Sequence, residues 1–133
     1  MIVRRLDDLE GTDRDVQTET WRSRRLLLAG DGQRFSMHDT VIHAGTTTDM
    51  WYQHHIEAVY CIEGTGQLVD RETGDTHDLA PGTLYLLDGN ERHTVHAHSQ
   101  LRMVCVFDPP VTGQEVHDEN GAYPLLTSDG KES

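Results

Sequence analysis

The sequence predicts an all-β fold, a sandwich or barrel of short strands with short helical segments. Seven β-rich runs are separated by Gly, Asp and Asn, which is the pattern of many short strands joined by turns. A helical pattern is confined to the acidic residues 6–11. With 133 residues, the chain is long enough for one domain with a core and too short for two. The predicted strands are residues 24–28, 36–42, 58–62, 66–70, 83–87, 93–97 and 101–107.

Glycine marks the connections between these strands. Residues 63–66 (EGTG) and 72–75 (ETGD) predict hairpin turns, because glycine adopts positive φ at little cost. No internal repeat or low-complexity tract divides the sequence, so we assign residues 1–133 to a single domain. From about residue 124, after Pro124, the tail is expected to be loosely ordered and mobile.

The charge balance excludes several classes of partner. There are 23 acidic and 11 basic residues, and the formal net charge is −12 at pH 7, which disfavours nucleic acids and anionic lipid surfaces. Such a surface fits a salt-rich cytosol, or simply keeps a small enzyme soluble. Cys61 and Cys105 lie within apolar runs, as expected for reduced thiols of a cytoplasmic protein. Residues 1–8 turn polar too early for a signal peptide, and no segment is long enough to span a membrane.

Strand parity predicts a polar cavity inside the barrel. Side chains alternate between the two faces of a strand, so residues two apart lie on the same face. Glu57 lies on one face of its strand, and Tyr85 lies on one face of another strand. If both faces point into the barrel, polar groups lie within an apolar lining, which is typical of small-ligand sites. The four predicted face sets are Glu57, Val59 and Cys61; Thr83, Tyr85 and Leu87; Met103, Cys105 and Phe107; and Ser36, His38 and Thr40.

Two spacings resemble the conserved segments of the cupin family. Glu57 precedes Gly64 by six intervening residues, and two residues separate residues 88–90 (DGN) from His93. Glu57 and His93 thereby occupy metal-ligand positions. The two further histidines that a typical cupin carries fall here on Met50 and Tyr52. Either the metal site is lost, or another residue supplies a ligand, and Tyr85 is the candidate.

Longer segments resemble the ectoine synthases. These are WY-x-HH-x-EAVYCIEG at residues 51–64, MVCVFDPP at 103–110 and TG-x-EVH at 112–117. The similarity extends to MIVR at residues 1–4 and W-x-S-x-RL at 21–26. It covers nearly the whole chain without large insertions.

The resemblance implies a homodimeric, iron(II)-dependent cupin with a jelly-roll-like barrel. Its members close the ring of N-γ-acetyl-L-2,4-diaminobutyrate to ectoine and release water, a hydro-lyase reaction that makes an osmoprotectant. The implied metal ligands are Glu57, Tyr85 and His93. The implied catalytic residues are Glu115, His117 and Tyr52. The implied substrate cavity is lined by Trp21, Ser23, Arg25, His38, Thr40, Tyr52, Cys105, Phe107, Glu115 and His117.

Ring closure explains why these residue types are needed. The substrate's amine attacks an acetamide carbonyl, a poor electrophile, and a divalent metal polarises such a carbonyl as a Lewis acid. Carboxylate, phenolate and imidazole suit iron, zinc or manganese, so iron rests on the resemblance. A tyrosine has a pKa of about 10, so we expect metal affinity to rise with pH. Glu115 and His117 suit general acid–base catalysis, and Arg25 suits the substrate carboxylate because its planar fork matches it.

Simpler interpretations remain for each residue and for the whole chain. Glu57 alone fits a solvent-facing strand residue and Tyr85 a core tyrosine, while Arg25, Glu115 and His117 fit an exposed surface. The protein could instead be a cupin sensor that binds a small metabolite without changing it. It could also be another metal-dependent cupin enzyme, such as a sugar isomerase or a dioxygenase. The remaining histidines are expected to support the site or the dimer interface (His54, His55) or to lie at the surface (His96, His98).

Overall fold

A computed structural model of the chain describes residues 1–113. In this range ten strands form two antiparallel sheets that face each other. The six-stranded sheet has the order β1-β2-β3-β10-β5-β8, and the four-stranded sheet has the order β4-β9-β6-β7. The strands are β1 Asp15–Gln17, β2 Trp21–Leu27, β3 Ser36–Ile42, β4 Thr47–Met50, β5 Ile56–Glu63, β6 Gly66–Asp70, β7 Thr76–Leu79, β8 Leu84–Leu87, β9 His93–Ala97 and β10 Leu101–Asp108.

The predicted all-β class is confirmed, and all seven predicted strands are present. The predicted bounds of β3, β6 and β9 agree with the structure, and those of the other four differ by one to three residues at an end. The expected helical segment is a 3-10 helix at Leu6–Leu9, and a second one spans Ala29–Asp31. The expected tail from residue 124 lies outside the described residues.

One of the two predicted hairpins is wrong. Residues 72–75 do connect the paired strands β6 and β7. Residues 63–66, however, carry the chain from one sheet to the other, because β5 pairs with β10 and β8 while β6 pairs with β7 and β9. Gly64 has a φ of +88° there, and a Cβ at this position would collide with the Gln100 carbonyl oxygen. The glycine therefore serves a crossing between sheets that packs closely against a neighbouring loop.

The core lies between the inner faces of the two sheets. On β10 the odd-numbered residues from Leu101 to Phe107 are buried and the even-numbered ones are more exposed, as alternation along a strand requires. Cys61 and Cys105 are buried free thiols within this core, as their positions in apolar runs predicted. No helix in the described part of the chain is long and apolar enough to cross a membrane.

Strand register places the predicted site residues side by side on the inner face of the larger sheet. One row runs across five strands, because each member is paired with the next: Arg25, His38, Cys105, Val59 and Tyr85. The adjacent row, from β3 to β8, contains Ser36, Phe107, Glu57 and Leu87. A guanidinium thus begins the first row and a phenol ends it.

Candidate active site in the barrel interior

A cavity opens between the two sheets above these rows. It contains about 420 Å³ of space not occupied by protein atoms, including its open mouth. It is lined by Trp21, Ser23, His38, Thr40, Ile42, Met50, Tyr52, Glu57, Tyr85, Met103, Cys105 and Phe107. Nine of these twelve residues are among the residues that the sequence assigned to the site.

Three lining residues were not predicted as site residues, and two of them follow from parity. Met103 was placed on one face with Cys105 and Phe107, and Ile42 extends the alternation of His38 and Thr40 on β3. Met50 stands where a typical cupin has a histidine, and it lines the cavity without offering a nitrogen. Of these three residues, Met103 and Ile42 could have been found by counting every inward-facing residue on each strand, and Met50 could not.

Aromatic rings form the wall near Phe107. The ring centroid of Phe107 lies 5.1 Å from that of Tyr52 in an edge-on arrangement and 5.0 Å from that of His38. His55 packs edge-on against the other side at 5.7 Å, and its Nδ1 lies 2.8 Å from the carbonyl oxygen of Pro109. His55 therefore supports the site, as one of its expected roles required. Such ring pairs are individually worth about 0.5–1.5 kcal/mol, so together they stabilise this wall.

Glu57 and Tyr85 give the cavity an acidic end that lacks a compensating cation in the described residues. Glu57 is 5% exposed, and burial raises the pKa of its carboxyl to about 8, against a smaller opposing effect of a hydrogen bond with Cys105. Burial also raises the pKa of the Tyr85 phenol well above its usual value, and the nearby Glu57 adds to this. Both groups are therefore protonated at neutral pH unless a positive charge is bound beside them. The solvent-facing interpretation of Glu57 is excluded.

His93 lies at the wall next to this end, with its ring centroid 5.9 Å from that of Tyr52. It is 1% exposed, and its Nδ1 lies 3.1 Å from the carbonyl oxygen of Glu91, to which the protonated nitrogen donates. Burial lowers its pKa, so the ring is neutral. Its Nε2 is buried and has no hydrogen-bond partner in residues 1–113. A neutral imidazole with this lone pair unused is the form that binds a metal.

The donor set fits a divalent metal. No three His, Cys, Asp or Glu side chains in the described range are grouped so that they could hold a metal ion. Within residues 1–113, a three-ligand set that includes Glu57 and His93 therefore needs a donor of another type, such as the Tyr85 phenol. Of these three, Glu57 and Tyr85 line the main cavity, whereas His93 lines a neighbouring pocket between β6, β7 and β8 and contacts the cavity wall through Tyr52.

Arg25 is completely buried directly behind the cavity wall. Its Nε donates to the Ser23 hydroxyl oxygen at 3.1 Å, and Nη1 and Nη2 have no hydrogen-bond partner among residues 1–113. Burial lowers the pKa of the adjacent His38 well below its usual value, and the positive charge of Arg25 lowers it further. Behind the end opposite Tyr85, the cavity thus has a cationic group without a hydrogen-bonded anion among residues 1–113.

The other predicted residues fall into two groups. Glu115 and His117 lie outside the described residues. His96 is half-buried and 2.9 Å from the Thr47 hydroxyl, while His98 and His54 are exposed. The expected surface position of His98 agrees with the structure, and His96 is held at the strand pair by Thr47.

Comparisons with known proteins identify the family of the chain. The family model described as "Ectoine synthase" matches residues 1–127. L-ectoine synthase from Thermobifida fusca is 62% identical over 133 residues, covering 100% of this chain and 99% of the relative. The crystal structure of ectoine synthase from P. lautus has a TM-score of 0.86 at 56% identity, covering 96% of this chain and 91% of that one.

A more distant likeness concerns the fold alone. The Cupin_2 domain of an XRE family transcriptional regulator from Enterobacter cloacae has a TM-score of 0.58 at 16% identity, covering 69% of this chain and 99% of that one. The architecture is therefore that of a cupin. The matches over most of the chain, at identities above one half, show that this protein belongs to the ectoine synthase family.

Proposed function

We propose that this protein is a cytoplasmic hydro-lyase that closes N-γ-acetyl-L-2,4-diaminobutyrate to ectoine with loss of water, and so produces a compatible solute. The observation that carries the proposal is the bipolar cavity. Arg25, a buried guanidinium whose terminal nitrogens have no partner in residues 1–113, lies behind one end, and the buried carboxyl of Glu57 and the partly buried phenol of Tyr85 lie at the other. A substrate with a carboxylate at one end and an amide at the other complements this arrangement.

Arg25 is the residue we assign to the substrate carboxylate. A buried guanidinium with two unpartnered terminal nitrogens in residues 1–113 is stabilised by a bidentate anion, and a carboxylate has the matching geometry. Ser23, which Arg25 contacts, lines the cavity and provides the neighbouring polar group. Binding the carboxylate at this end directs the acetamide towards the end that carries Glu57.

The aromatic wall favours the folded substrate conformation that ring closure needs. Trp21, Tyr52 and Phe107 line the cavity, so the substrate's methylene chain replaces water against apolar ring surfaces. Holding the amine against the carbonyl in this way contributes up to about 7–11 kcal/mol in well-oriented intramolecular reactions. The chain's contribution to catalysis is thus largely one of orientation.

Glu57, Tyr85 and His93 are the residues that would hold a divalent metal, iron(II) by the family resemblance, with zinc or another divalent ion as alternatives. Such a metal, when bound, supplies Lewis-acid polarisation of the amide carbonyl. The observations in favour are the uncompensated acidic pair and the neutral imidazole with its unused Nε2. A bound cation would favour the deprotonated forms of Glu57 and Tyr85, and the neutral His93 already has the form that binds a metal.

Proton transfer needs a base for the amine and an acid for the departing oxygen. Tyr52 is the assigned group that the structure describes. Its hydroxyl lies 3.3 Å from the Met50 sulfur, a weak acceptor, so a substrate oxygen is a stronger partner. We keep Glu115 and His117 as the further acid–base pair on the strength of the family resemblance.

The direct test is product analysis. Iron(II)-loaded protein incubated without oxygen with N-γ-acetyl-L-2,4-diaminobutyrate should yield ectoine, and chelated protein should yield much less. Unchanged substrate in a folded, metal-loaded sample contradicts the proposal. Stabilisation by the substrate without turnover indicates a binding module, and oxygen consumption or isomer formation indicates another cupin enzyme.

The proposed homodimer is supported by the outer surface of β5 and the edge strand β8. Ile56, Tyr60, Leu84 and Leu86 are 45–65% exposed there, and Tyr60 pairs with Leu84 across the two strands. Monomers rarely leave a contiguous apolar patch on an edge strand exposed. Sedimentation analysis of Leu84→Lys should show a lower association state than the wild type, and an unchanged dimer would place the interface elsewhere.

A further inference from the structure

A buried chain of hydrogen bonds runs behind the cavity wall from β2 to the segment after β10. Arg25 Nε donates to Ser23 Oγ at 3.1 Å, and Ser23 Oγ lies 3.4 Å from His38 Nδ1. On the other side of the ring, His38 Nε2 lies 3.2 Å from Ser36 Oγ, which accepts the backbone N–H of Val111 at 3.0 Å. Ser36 is 0% exposed and does not line the cavity, so bulk water does not contact its hydroxyl, whereas Ser23 and His38 line the cavity.

The protons in this chain can be placed by counting donors and acceptors. Two bonds have a fixed direction, because the N–H groups of Arg25 and Val111 can only donate. A neutral His38 carries one proton, on either Nδ1 or Nε2. The direction of the two hydroxyl–imidazole bonds depends on that choice.

If Nε2 of His38 carries the proton, Ser36 Oγ accepts two hydrogen bonds. Its own proton is then left without an acceptor in the described residues, in a fully buried position. An unsatisfied buried donor costs about 1–3 kcal/mol.

If Nδ1 carries the proton instead, Ser36 donates to Nε2 and accepts from Val111, so both its roles are satisfied. Ser23 Oγ then accepts from Arg25 and from His38, and its own proton points to the one side left, the cavity that Ser23 lines. In this arrangement the one hydroxyl proton without an acceptor faces the cavity, where a ligand can accept it, and not the closed interior around Ser36.

We propose that Ser36 fixes His38 as the Nδ1–H tautomer, and that this makes the Ser23 hydroxyl an obligatory donor to a carboxylate bound beside Arg25. In the opposite tautomer Ser23 would turn its proton towards His38 and present lone pairs to the carboxylate, which repel it. Ser36 and His38 are positioning residues in this scheme, because they act on the ligand only through Ser23. The identity of the carboxylate ligand rests on the proposed function; the tautomer does not.

The tautomer is measured directly by two-bond ¹⁵N–¹H correlations of ¹⁵N-histidine-labelled protein at neutral pH, without ligand. The His38 signal should show the Nδ1–H pattern alone in the wild type and in Ser36→Thr, which keeps the hydroxyl. Ser36→Ala should show both patterns, because Nε2 loses its hydrogen-bond partner among residues 1–113 and neither tautomer is enforced. Ser99→Ala is the matched control, because Ser99 Oγ also accepts a backbone N–H, that of Thr65 at 2.9 Å, far from His38. An Nε2–H tautomer in the wild type overturns the proposal, even if Ser36→Ala fails to fold.

The consequence for the ligand is measured by titration calorimetry of metal-free protein. Ser23→Ala should weaken binding of N-γ-acetyl-L-2,4-diaminobutyrate about tenfold, the usual effect of one hydrogen bond to a charged group. Ser36→Ala should weaken it by a smaller factor, because part of the population keeps the Nδ1–H tautomer. The double variant should be no weaker than Ser23→Ala. Binding of N-acetyl-1,3-diaminopropane, which lacks the carboxylate, should be unchanged in all three.

The two readouts separate the possible failures. An Nδ1–H tautomer with equal losses for both compounds contradicts the carboxylate as the partner of Ser23, while the proposed ring closure is tested independently by product analysis. Unchanged affinity for both compounds in Ser36→Ala contradicts the control of Ser23 by Ser36.

Discussion

Arg24 and Arg25 are neighbours in the sequence, yet they lie on opposite faces of β2 in opposite electrostatic environments. On the outer face, Arg24 Nη2 donates to Asp39 at 2.8 Å, and Arg102 binds the same carboxylate through Nε and Nη2. On the inner face, Arg25 contacts Ser23, and its two terminal nitrogens have no partner in residues 1–113. Both arginines are at least nine-tenths buried.

The comparison distinguishes charged groups that stabilise the fold from charged groups that are available to bind a ligand. A buried ion pair whose groups are hydrogen-bonded to each other roughly offsets its own desolvation, whereas an uncompensated buried charge destabilises the folded state. Proteins keep such a local conflict mainly at functional sites. The same contrast holds for the carboxyls, because Asp39 faces two guanidinium groups and Glu57 faces none among its described neighbours.

The largest effect is expected from Glu57→Gln, which keeps the shape of the protonated carboxyl but cannot bind a cation as a carboxylate. Bound iron should be lost and kcat/KM should fall by about a thousandfold, the equivalent of roughly 4 kcal/mol. Glu63→Gln, at the exposed end of the same strand, is the control and should change neither. Metal analysis beside steady-state kinetics checks this, and full iron content and rate in Glu57→Gln would show that the metal assignment is wrong.

The two arginines should respond in opposite ways to the same substitution. Arg25→Met should lower kcat/KM about a hundredfold by removing charged hydrogen bonds to the substrate, while the metal-free protein unfolds at equal or higher urea concentration. Arg24→Met should leave kcat/KM unchanged and lower the free energy of unfolding by about 1–2 kcal/mol. If the two variants behaved equally in kinetics and in urea unfolding, the proposed difference between the inner and outer faces of β2 would be contradicted.

Asp39→Ala tests only the paired charges on the outer face. It removes the carboxylate that Arg24 and Arg102 share, so the free energy of unfolding should fall by about 3 kcal/mol with little change in KM. Combining it with Arg24→Met should cost less than the sum of the two single changes, because one unpaired cation is removed. Additive losses would indicate that the outer ion pairs contribute independently.

The smallest effect concerns how the free energy of unfolding depends on pH through Asp31, which is paired with Arg4 and Arg14. Hydrogen bonds from Arg4, assisted by Leu28 N–H and Arg14, lower the pKa of Asp31 to about 2, against the opposing effect of burial. A lowered carboxyl pKa stabilises the fold above the unfolded value near 4, and this contribution is lost as pH falls towards 2. Asp31→Asn should therefore lose about 1 kcal/mol at pH 6 and approach the wild type at pH 2. Urea unfolding at both pH values measures this, and a constant difference would contradict the cause.

The central strands could be predicted from the sequence because they carry the hydrophobic alternation. The three strands that were missed, Asp15–Gln17, Thr47–Met50 and Thr76–Leu79, all lie at sheet edges. Their residues are mostly exposed or half-buried, so no periodic apolar signal marks them. Edge strands form because a neighbour offers hydrogen bonds, and this is a property of the folded sheet.

The candidate site was predictable in membership but only partly in arrangement. Parity showed which residues share a face with Glu57 and with Tyr85 and left open whether those faces point inward, and the family resemblance supplied Trp21 and Arg25. The register that aligns Arg25 with His38 could not be read from the sequence, because it depends on a bulge between Arg25 and Leu27 in the pairing with β3. The unpartnered state of Arg25 follows only from that three-dimensional arrangement.

The most direct measurement is a crystal structure of the protein with bound ectoine, the carboxylate-bearing product. The uncompensated guanidinium predicts the ligand carboxylate within hydrogen-bond distance of Arg25 Nη1 or Nη2, with the ring against Phe107. A carboxylate bound elsewhere in the cavity, with both Arg25 nitrogens still making no contact to it, would contradict the claim that the inner-face charge exists to bind the substrate.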